Sequence, residues 1–311
     1  MGLGLQNLVA STSLGYPLPG ECPDGQLSDH RSGDSLAELS SAAWSAQLIG
    51  VRGSLPASGR QTQRTGGATT TLLVRSSAGV LLVDAGSGIA NLRIDEGVPI
   101  EIVFTHLHHD HICGLPFFTP LYERGREITL SGVGRGEAAW SQALVGAFQP
   151  PYFPVPIERT WDARVALRAL APEGDEPLLG VNLRWAEVPH PGGATAFRIE
   201  TERGALVYAP DVELAKGADS LVALAQGADV LVVDAHFSTE EYPRHVGWGH
   251  STPAQAAALA TSAGVGKLLL THHAPWRDDA AVEALVDEAR QIFAAADAAR
   301  EGMELLFLDP R

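Results

Sequence analysis

The length, composition and charge of this chain exclude several classes of protein. Its 311 residues include 45% hydrophobic and 19% charged side chains, and its apolar runs are far shorter than the ~20 residues that a membrane span needs. Two cysteines are too few for a disulfide scaffold and suit a reducing cytoplasm. The net charge of -15 disfavours a broad nucleic-acid contact, which requires clustered Lys and Arg. We therefore expect a cytoplasmic protein that binds neither membranes nor long nucleic acid.

Residues 1–43 differ in composition from the rest of the chain. They are rich in Gly, Ser, Pro and acidic residues and lack the periodicity of helices or strands. We expect residues 1–43 to be a poorly ordered or irregular N-terminal arm. Residues 44–311 contain no break that resembles a linker, which predicts one domain over this range.

Short apolar segments alternate with helical patterns along residues 44–311. Strands are predicted over 46–51, 70–75, 80–84, 100–105, 128–130, 183–188, 196–199, 205–208, 230–233 and 267–270. Helices are predicted over 112–118, 253–263 and 280–293, and the second of these has Ser251 or Thr252 as its N-cap. Segment 135–180 permits no clear assignment. Strands with interspersed helices indicate an α/β domain.

A dense group of metal-ligating side chains directly follows the predicted strand 100–105. It comprises His106, His108, Asp110 and His111. On a strand the first two histidines would share one face, and the other two residues would follow on a turn. Zn²⁺ accepts both imidazole nitrogen and carboxylate oxygen. The spacing therefore predicts a metal site, in which His109 points outward or supports its neighbours.

This segment resembles the His-x-His-x-Asp-His motif of the metallo-β-lactamase superfamily. Four further residues occur in the order of that family, each close to the end of a predicted strand: Asp84, His190, Asp211 and His272. The resemblance covers roughly residues 46–308. It implies an α/β (α+β) fold, the αββα sandwich, in which two β-sheets are flanked by helices.

Three local features resemble the ribonuclease Z and cyclic-phosphodiesterase branch of the superfamily. They are RGSLP at 52–56 followed by the glycine pair at 66–67, YAPD at 208–211, and GHST at 249–252 followed by TH at 271–272. Ala68 stands where Asn is common in that branch.

The resemblance implies a site for two metal ions. One ion would be held by His106, His108 and His190, the other by Asp110, His111 and His272, with Asp211 as the bridge. We expect two Zn²⁺, with Mn²⁺ or Fe as alternatives in the second site. His273 is an alternative to His272. His190 could instead be a turn residue, and Asp211 could instead cap a helix.

The same resemblance implies a reaction in which a hydroxide between the ions attacks a phosphorus atom. Asp110, His250 and Asp234 are the candidate catalytic residues. His250 would protonate the leaving alkoxide, and Asp234 would favour its protonated form. Alternatively, His250 only bonds to the backbone at a helix start, and Asp234 is an ordinary strand-end residue. Asp84 would orient a ligating histidine.

The function expected from this pattern is hydrolysis of a small cyclic or nucleotide-like phosphodiester by a binuclear enzyme. Arg52, Arg60 and Arg64 either contact the substrate phosphate or are solvated. Hydrolysis of a lactone, thioester or β-lactam, ribonuclease Z-type processing of tRNA 3' ends, and a metal-binding module without catalysis remain alternatives. A small-molecule substrate and, as one option, a homodimer are the expected partners.

Overall fold

The strands form two mixed sheets of seven strands each in the part of the chain that the structure, a computed structural model, describes: residues 44–134 and 137–307. The proposed N-terminal arm, residues 1–43, lies outside the described residues. The first sheet has the order β14-β1-β2-β3-β4-β5-β6. Its strands are β1 (Trp44–Gly50), β2 (Thr71–Ser76), β3 (Gly79–Val83), β4 (Ile100–Phe104), β5 (Glu127–Val133), β6 (Arg164–Leu170) and β14 (Glu304–Phe307).

The second sheet has the order β13-β12-β11-β10-β9-β8-β7. Its strands are β7 (Gly174–Leu178), β8 (Val181–Val188), β9 (Ala194–Thr201), β10 (Gly204–Ala209), β11 (Val230–Asp234), β12 (Lys267–Thr271) and β13 (Ala296–Ala298). The α-helices are α1 (His109–Ile112), α2 (Glu137–Gly146), α3 (Asp219–Ala225), α4 (Pro253–Ala263) and α5 (Asp279–Arg290). Among the described residues, no helix has both the length and the apolar character that a bilayer crossing requires.

Central strands such as β3 and β11 contain uninterrupted apolar runs because both of their faces are buried. In β3, Leu81 and Val83 join a core between the two sheets, whereas Val80 and Leu82 join the core on the outer face of the first sheet. Residues of β11 divide in the same way between the inter-sheet core and the core beneath α3, α4 and α5. The layers therefore run helix, sheet, sheet, helix, which confirms the predicted αββα sandwich.

Local sequence signals set the bounds of α4. Thr252 is its N-cap: the hydroxyl of Thr252 accepts a hydrogen bond from Gln255 N, and the Gln255 side chain accepts one from Thr252 N. Pro253 stands at the first helical position, and Gly264 ends the helix in the left-handed conformation. The helix therefore spans the range that the sequence predicts.

The region after the histidine motif departs from the sequence prediction. Instead of a helix over 112–118, the short helix α1 begins within the motif, and a 3₁₀ turn, Leu115–Phe117, follows it. Pro116 lacks an N–H, which prevents continuous α-helical hydrogen bonding through this segment. Segment 135–180, which the sequence left unassigned, contains α2, β6 and β7 among its described residues.

Candidate metal centre

The predicted ligands lie where the carboxyl ends of strands from both sheets meet. Parallel strands deliver the residues that follow them to one edge, where α/β folds commonly place their sites. Asp84 follows β3 and His106 follows β4, whereas His190, Asp211 and His272 follow β8, β10 and β12. His109, the one histidine of the 106–111 motif without an assigned ligand role, is exposed.

The first group of ligand atoms comes from His106, His108, His190 and Asp211, and these atoms all lie within 4.8 Å of one another. His190 Nε2 lies 3.2 Å from His108 Nδ1. Asp211 Oδ2 lies 3.6 Å from His190 Nε2 and 3.8 Å from His106 Nε2. Three imidazoles and one carboxylate oxygen therefore converge on one point.

The second group comes from Asp110, His111 and His272, with the other oxygen of Asp211 beside them. Asp211 Oδ1 lies 3.1 Å from both His111 Nε2 and His272 Nε2. Asp110 Oδ2 lies 3.4 Å from His111 Nε2 and 3.2 Å from His272 Nε2. Ligand atoms about 2.0–2.1 Å from a tetrahedral Zn²⁺ would be about 3.3 Å apart, so the spacing fits such an ion.

The hydrogen bonding of the cluster also fits metal binding. His106 Nε2, His111 Nε2 and Asp211 Oδ1 are buried and have no hydrogen-bond partner among the described residues. A buried polar atom without a partner is costly, by about 1–3 kcal/mol. Cations bound by both groups would satisfy these atoms, since each faces one of the groups. The residues present therefore fit a site for dications.

Asp84 fixes the orientation of the His111 ring through a hydrogen bond to Nδ1, the ring nitrogen that faces away from the cluster. His111 Nδ1 donates to Asp84 Oδ2 over 2.8 Å, and Thr105 donates through both its backbone N and its hydroxyl. Burial raises the pKa of the Asp84 carboxyl, and the charge of His111 opposes that shift. A carboxylate behind an imidazole sets which ring nitrogen faces a metal, here Nε2.

The electrostatics of the cluster favour positive charge at its second group. Burial alone would lower the pKa of His111, but Asp211, Asp84 and Asp110 raise it well above its usual value. Burial and the charge of the neighbouring His111 hold the pKa of His106 well below the usual value for histidine. The carboxylates thus attract cations, while His106 offers a neutral imidazole, the form that binds metals.

Two glycines allow ligating histidines to approach the backbone. A Cβ on Gly53 would lie 2.2 Å from His272 Nδ1, and one on Gly249 would lie 2.4 Å from His190 Nδ1. His190 Nδ1 also donates to Gly249 O over 2.8 Å. These contacts explain why glycine stands in the RGSLP and GHST motifs.

The structure separates the neighbours His272 and His273. His272 faces the cluster, whereas His273 points away and donates from Nε2 to Ala299 O over 3.1 Å. His272 adopts a positive φ of 57°, which reorients the chain directly after β12. The geometry therefore supports His272 as the proposed ligand.

His250 and Asp234 lie beside both ligand groups. His250 Nδ1 donates to Asp234 Oδ2 over 2.7 Å, and its ring stacks on His272 at a centroid distance of 4.8 Å. Burial opposes protonation, but the charge and hydrogen bond of Asp234 raise the pKa of His250 to about 9. Asp234 also accepts from the backbone N–H of His236 and Ser251. The pair can hold a proton at the edge of the site.

His236 is a site residue that the sequence analysis missed. It is buried, donates from Nδ1 to His272 O over 2.9 Å, and stacks on His250 at 4.5 Å. Its one signal in the sequence is its position two residues after Asp234, which does not distinguish a site residue from a core histidine.

The arginines near the opening glycines have structural surroundings. Arg52 is fully buried, and its guanidinium donates to the carbonyl oxygens of Gly66, Ala274 and Arg277. Neither a phosphate contact nor solvation, the two expectations for Arg52, describes it. Arg64 is exposed and lies 3.7 Å from Asp279.

The chain is similar in sequence to known proteins. A family model described as a β-lactamase superfamily domain matches residues 80–273, which include every proposed ligand. A ribonuclease Z from Bradyrhizobium sp. (strain ORS 278) is 30% identical over 72% of this chain and 89% of its own length. A ribonuclease Z from Natronomonas pharaonis is 28% identical over 72% and 85%, respectively.

Similar solved structures share the fold. The metallo-β-lactamase fold protein YhfI from Bacillus subtilis has a TM-score of 0.65 at 23% identity and covers 85% of this chain and 99% of its own. A diphosphatase from the PhnP family has a TM-score of 0.61 at 19% identity, with coverages of 84% and 97%. Human tRNase Z, short form, has a TM-score of 0.59 at 18% identity, with coverages of 85% and 99%.

These relatives correct one expectation. The acidic net charge led us to exclude long nucleic acid as a partner, and that prediction is wrong, since the curated relatives named here are ribonucleases. Net charge sums the whole surface and does not describe the potential at one site, where bound cations dominate. The chain belongs to the metallo-β-lactamase superfamily, within the branch of its ribonuclease Z relatives, and is a metal-dependent hydrolase.

Proposed function

We propose that this hydrolase is a phosphodiesterase with a two-metal site. The observation that carries the proposal is the placement of Asp211 between the two ligand groups. Asp211 Oδ1 lies 3.1 Å from nitrogens of His111 and His272, while Oδ2 lies 3.6 Å and 3.8 Å from nitrogens of His190 and His106. One carboxylate that faces two groups is the arrangement expected of a bridging ligand.

Two dications held there would polarise a phosphoryl oxygen and lower the pKa of a bound water towards neutrality. His106, His108 and His190 would hold one ion, and Asp110, His111 and His272 the other. Asp84 orients His111 through a 2.8 Å hydrogen bond, and Gly249 O orients His190 through another of the same length. These contacts hold the ligand atoms in place before substrate arrives.

His250 is the proposed general acid. When the P–O bond breaks, its electron pair stays on the leaving oxygen, which then takes a proton from His250 Nε2. Asp234 accepts from Nδ1 over 2.7 Å, so that the other nitrogen is the one that faces the site. Such proton transfer contributes typically ~10²–10⁴-fold to rate.

This proton donor suits a phosphodiester with an alkoxide leaving group and favours it over the thioester alternative. An alkoxide leaves slowly unless it is protonated, whereas the thiolate of a thioester leaves without a proton donor. RNA is a second candidate substrate, favoured by the ribonuclease names of the relatives. Its backbone contains the same bond, and the same residues would act on it.

The test is hydrolysis of bis(p-nitrophenyl) phosphate and of a structured RNA by zinc-loaded protein. We expect Asp110→Ala to lose metal and activity. His250→Ala should keep its metal and lose rate mainly on esters with poor leaving groups. His109→Ala is the matched control, because His109 is an exposed neighbour of Asp110.

Two results would contradict the proposal. If wild type is inert on both phosphodiesters yet opens a lactone or a β-lactam, the bond class is wrong. If Asp110→Ala retains the zinc content of His109→Ala, the ligand assignment is wrong.

A further inference from the structure

Two exposed tryptophans stand next to the histidine cluster and have no part in the proposed chemistry. Trp276 is 64% exposed and Trp248 is 61% exposed, although indole is among the side chains that gain most from burial. Exposed large apolar groups that occur together commonly mark a binding surface.

Ring contacts connect both indoles to the proposed acid. Trp276 meets His236 edge-on at a centroid distance of 5.4 Å, and His236 stacks on His250 at 4.5 Å. On the other side, Phe237 lies 6.4 Å from Trp248 and 5.8 Å from His250. Both indoles are therefore within two ring contacts of the residue that would protonate the leaving group.

Hydrogen bonds to one buried carboxylate hold the backbone on both sides of Trp248. Gly247 N and Gly249 N, on either side of the indole, donate to the two oxygens of Glu213 over 2.6 Å and 3.0 Å. Glu213 is fully buried and also accepts from the Tyr242 hydroxyl. A buried carboxylate thus fixes the turn that presents an exposed indole.

The turn that carries Trp276 is fixed in a similar way. The Arg277 guanidinium donates to His236 O over 3.2 Å, and Arg277 O accepts from the buried Arg52 over 2.8 Å. Rigid exposed aromatics lose little conformational entropy when a flat ligand stacks on them. Both indoles are therefore preorganised.

We propose that Trp248 and Trp276 form an aromatic rim that binds a nucleobase of the substrate beside the metal site. This inference rests on the proposed phosphodiesterase function, because a nucleotide-like phosphodiester brings a base within reach of its own scissile bond. Every base has a flat π-face, so stacking on indole selects nucleotides without selecting a base sequence.

Zinc-loaded protein tests the rim by two measurements. The first is the ratio of kcat/KM for thymidine 5'-(p-nitrophenyl phosphate) to that for methyl p-nitrophenyl phosphate, which share a leaving group. The second is calorimetric affinity for adenosine 5'-monophosphate against ribose 5-phosphate, which lacks the base. We expect wild type to favour the nucleoside ligand in both, by roughly ten-fold or more from one stacked base.

Substitutions separate stacking from a structural effect. Trp276→Ala and Trp248→Ala should each reduce both ratios, and Trp276→Phe should restore most of the loss, since Phe retains a ring. Tyr152→Ala is the control: Tyr152 is 90% exposed and, among the described residues, has no ring contact with the site histidines. It should leave both ratios unchanged.

Equal kcat/KM for the two esters together with equal affinities would overturn the rim and leave the phosphodiesterase intact. Failure to hydrolyse either ester, with the structured RNA also left intact, would refute the proposed function, and calorimetry would then decide on the rim alone. If wild type is dimeric and either Trp→Ala variant is monomeric, the indoles contact a second copy, and the rim proposal is wrong.

Discussion

Gly249 offers a sharp test of the ligand role of His190. Gly249 and Gly247 lie in the same turn with φ values of 89° and 92°. Their surroundings differ, however: a Cβ on Gly249 would lie 2.4 Å from His190 Nδ1, whereas one on Gly247 would meet, within the described part of the chain, only Lys216 Nζ at 3.7 Å. Gly247→Ala is therefore a matched control that imposes the same backbone strain without the clash.

The size of the effect follows from these distances. An ordinary contact begins near 3.4 Å, so His190, together with Pro191, whose Cδ would lie 2.3 Å from the added Cβ, must move by about 1 Å in Gly249→Ala. Metal–ligand distances tolerate only about 0.2 Å. The movement also breaks the 2.8 Å hydrogen bond from His190 to Gly249 O. Loss of such an orienting contact alone costs about 10–100-fold in metal affinity, and displacement of the ring should reach at least the upper end.

The assay is zinc content after dialysis against a graded chelator, together with thermal unfolding of the same samples. Both variants should lose stability, by roughly 1–2 kcal/mol from the positive φ. Only Gly249→Ala should lose zinc and phosphodiesterase activity as well. Equal zinc retention in the two variants would show that His190 is not a ligand, or that its ring does not lie against Gly249.

Two further predictions concern the histidines near the site. Asp234→Asn removes the main cause of the raised pKa of His250, so the alkaline limb of the kcat/KM profile should shift to lower pH; an unchanged limb would exclude His250 as the titrating acid. A general acid acts when it is protonated and stops acting as the pH rises through its pKa, so a lower pKa of His250 moves the alkaline limb to lower pH. His272→Ala should lose zinc, whereas His273→Ala, which breaks a buried bond to Ala299 O, should lose stability and keep zinc; the opposite pattern would exchange their roles.

The sequence by itself determined much of the fold. Strands such as β3 and β11 contain uninterrupted apolar runs, 80–83 and 230–233, because each strand is buried on both faces, so composition alone identified them. The bounds of α4 follow from Thr252, Pro253 and Gly264, which act through local hydrogen bonds and backbone angles. Such interactions join residues that are close together in the chain, so the sequence alone is enough to predict them.

The candidate ligands were also accessible from the sequence, because metal chemistry restricts residue type and spacing. His106, His108, Asp110 and His111 stand within six residues of one another. The more distant residues, His190, Asp211 and His272, came from their order in a resemblance to a known family rather than from spacing.

Only the tertiary structure decided which polar residues face the site. No local signal predicts that Arg52 and His236 are buried. Arg52 bonds to carbonyl oxygens 222 and 225 residues away, and His236 bonds to one 36 residues away. The orientations of His272 and His273 depend on one backbone angle after β12. The indoles of Trp248 and Trp276 meet the same histidine cluster only because the turns that carry them converge at the ends of β11 and β12. Contacts between distant segments depend on packing, which no local pattern encodes.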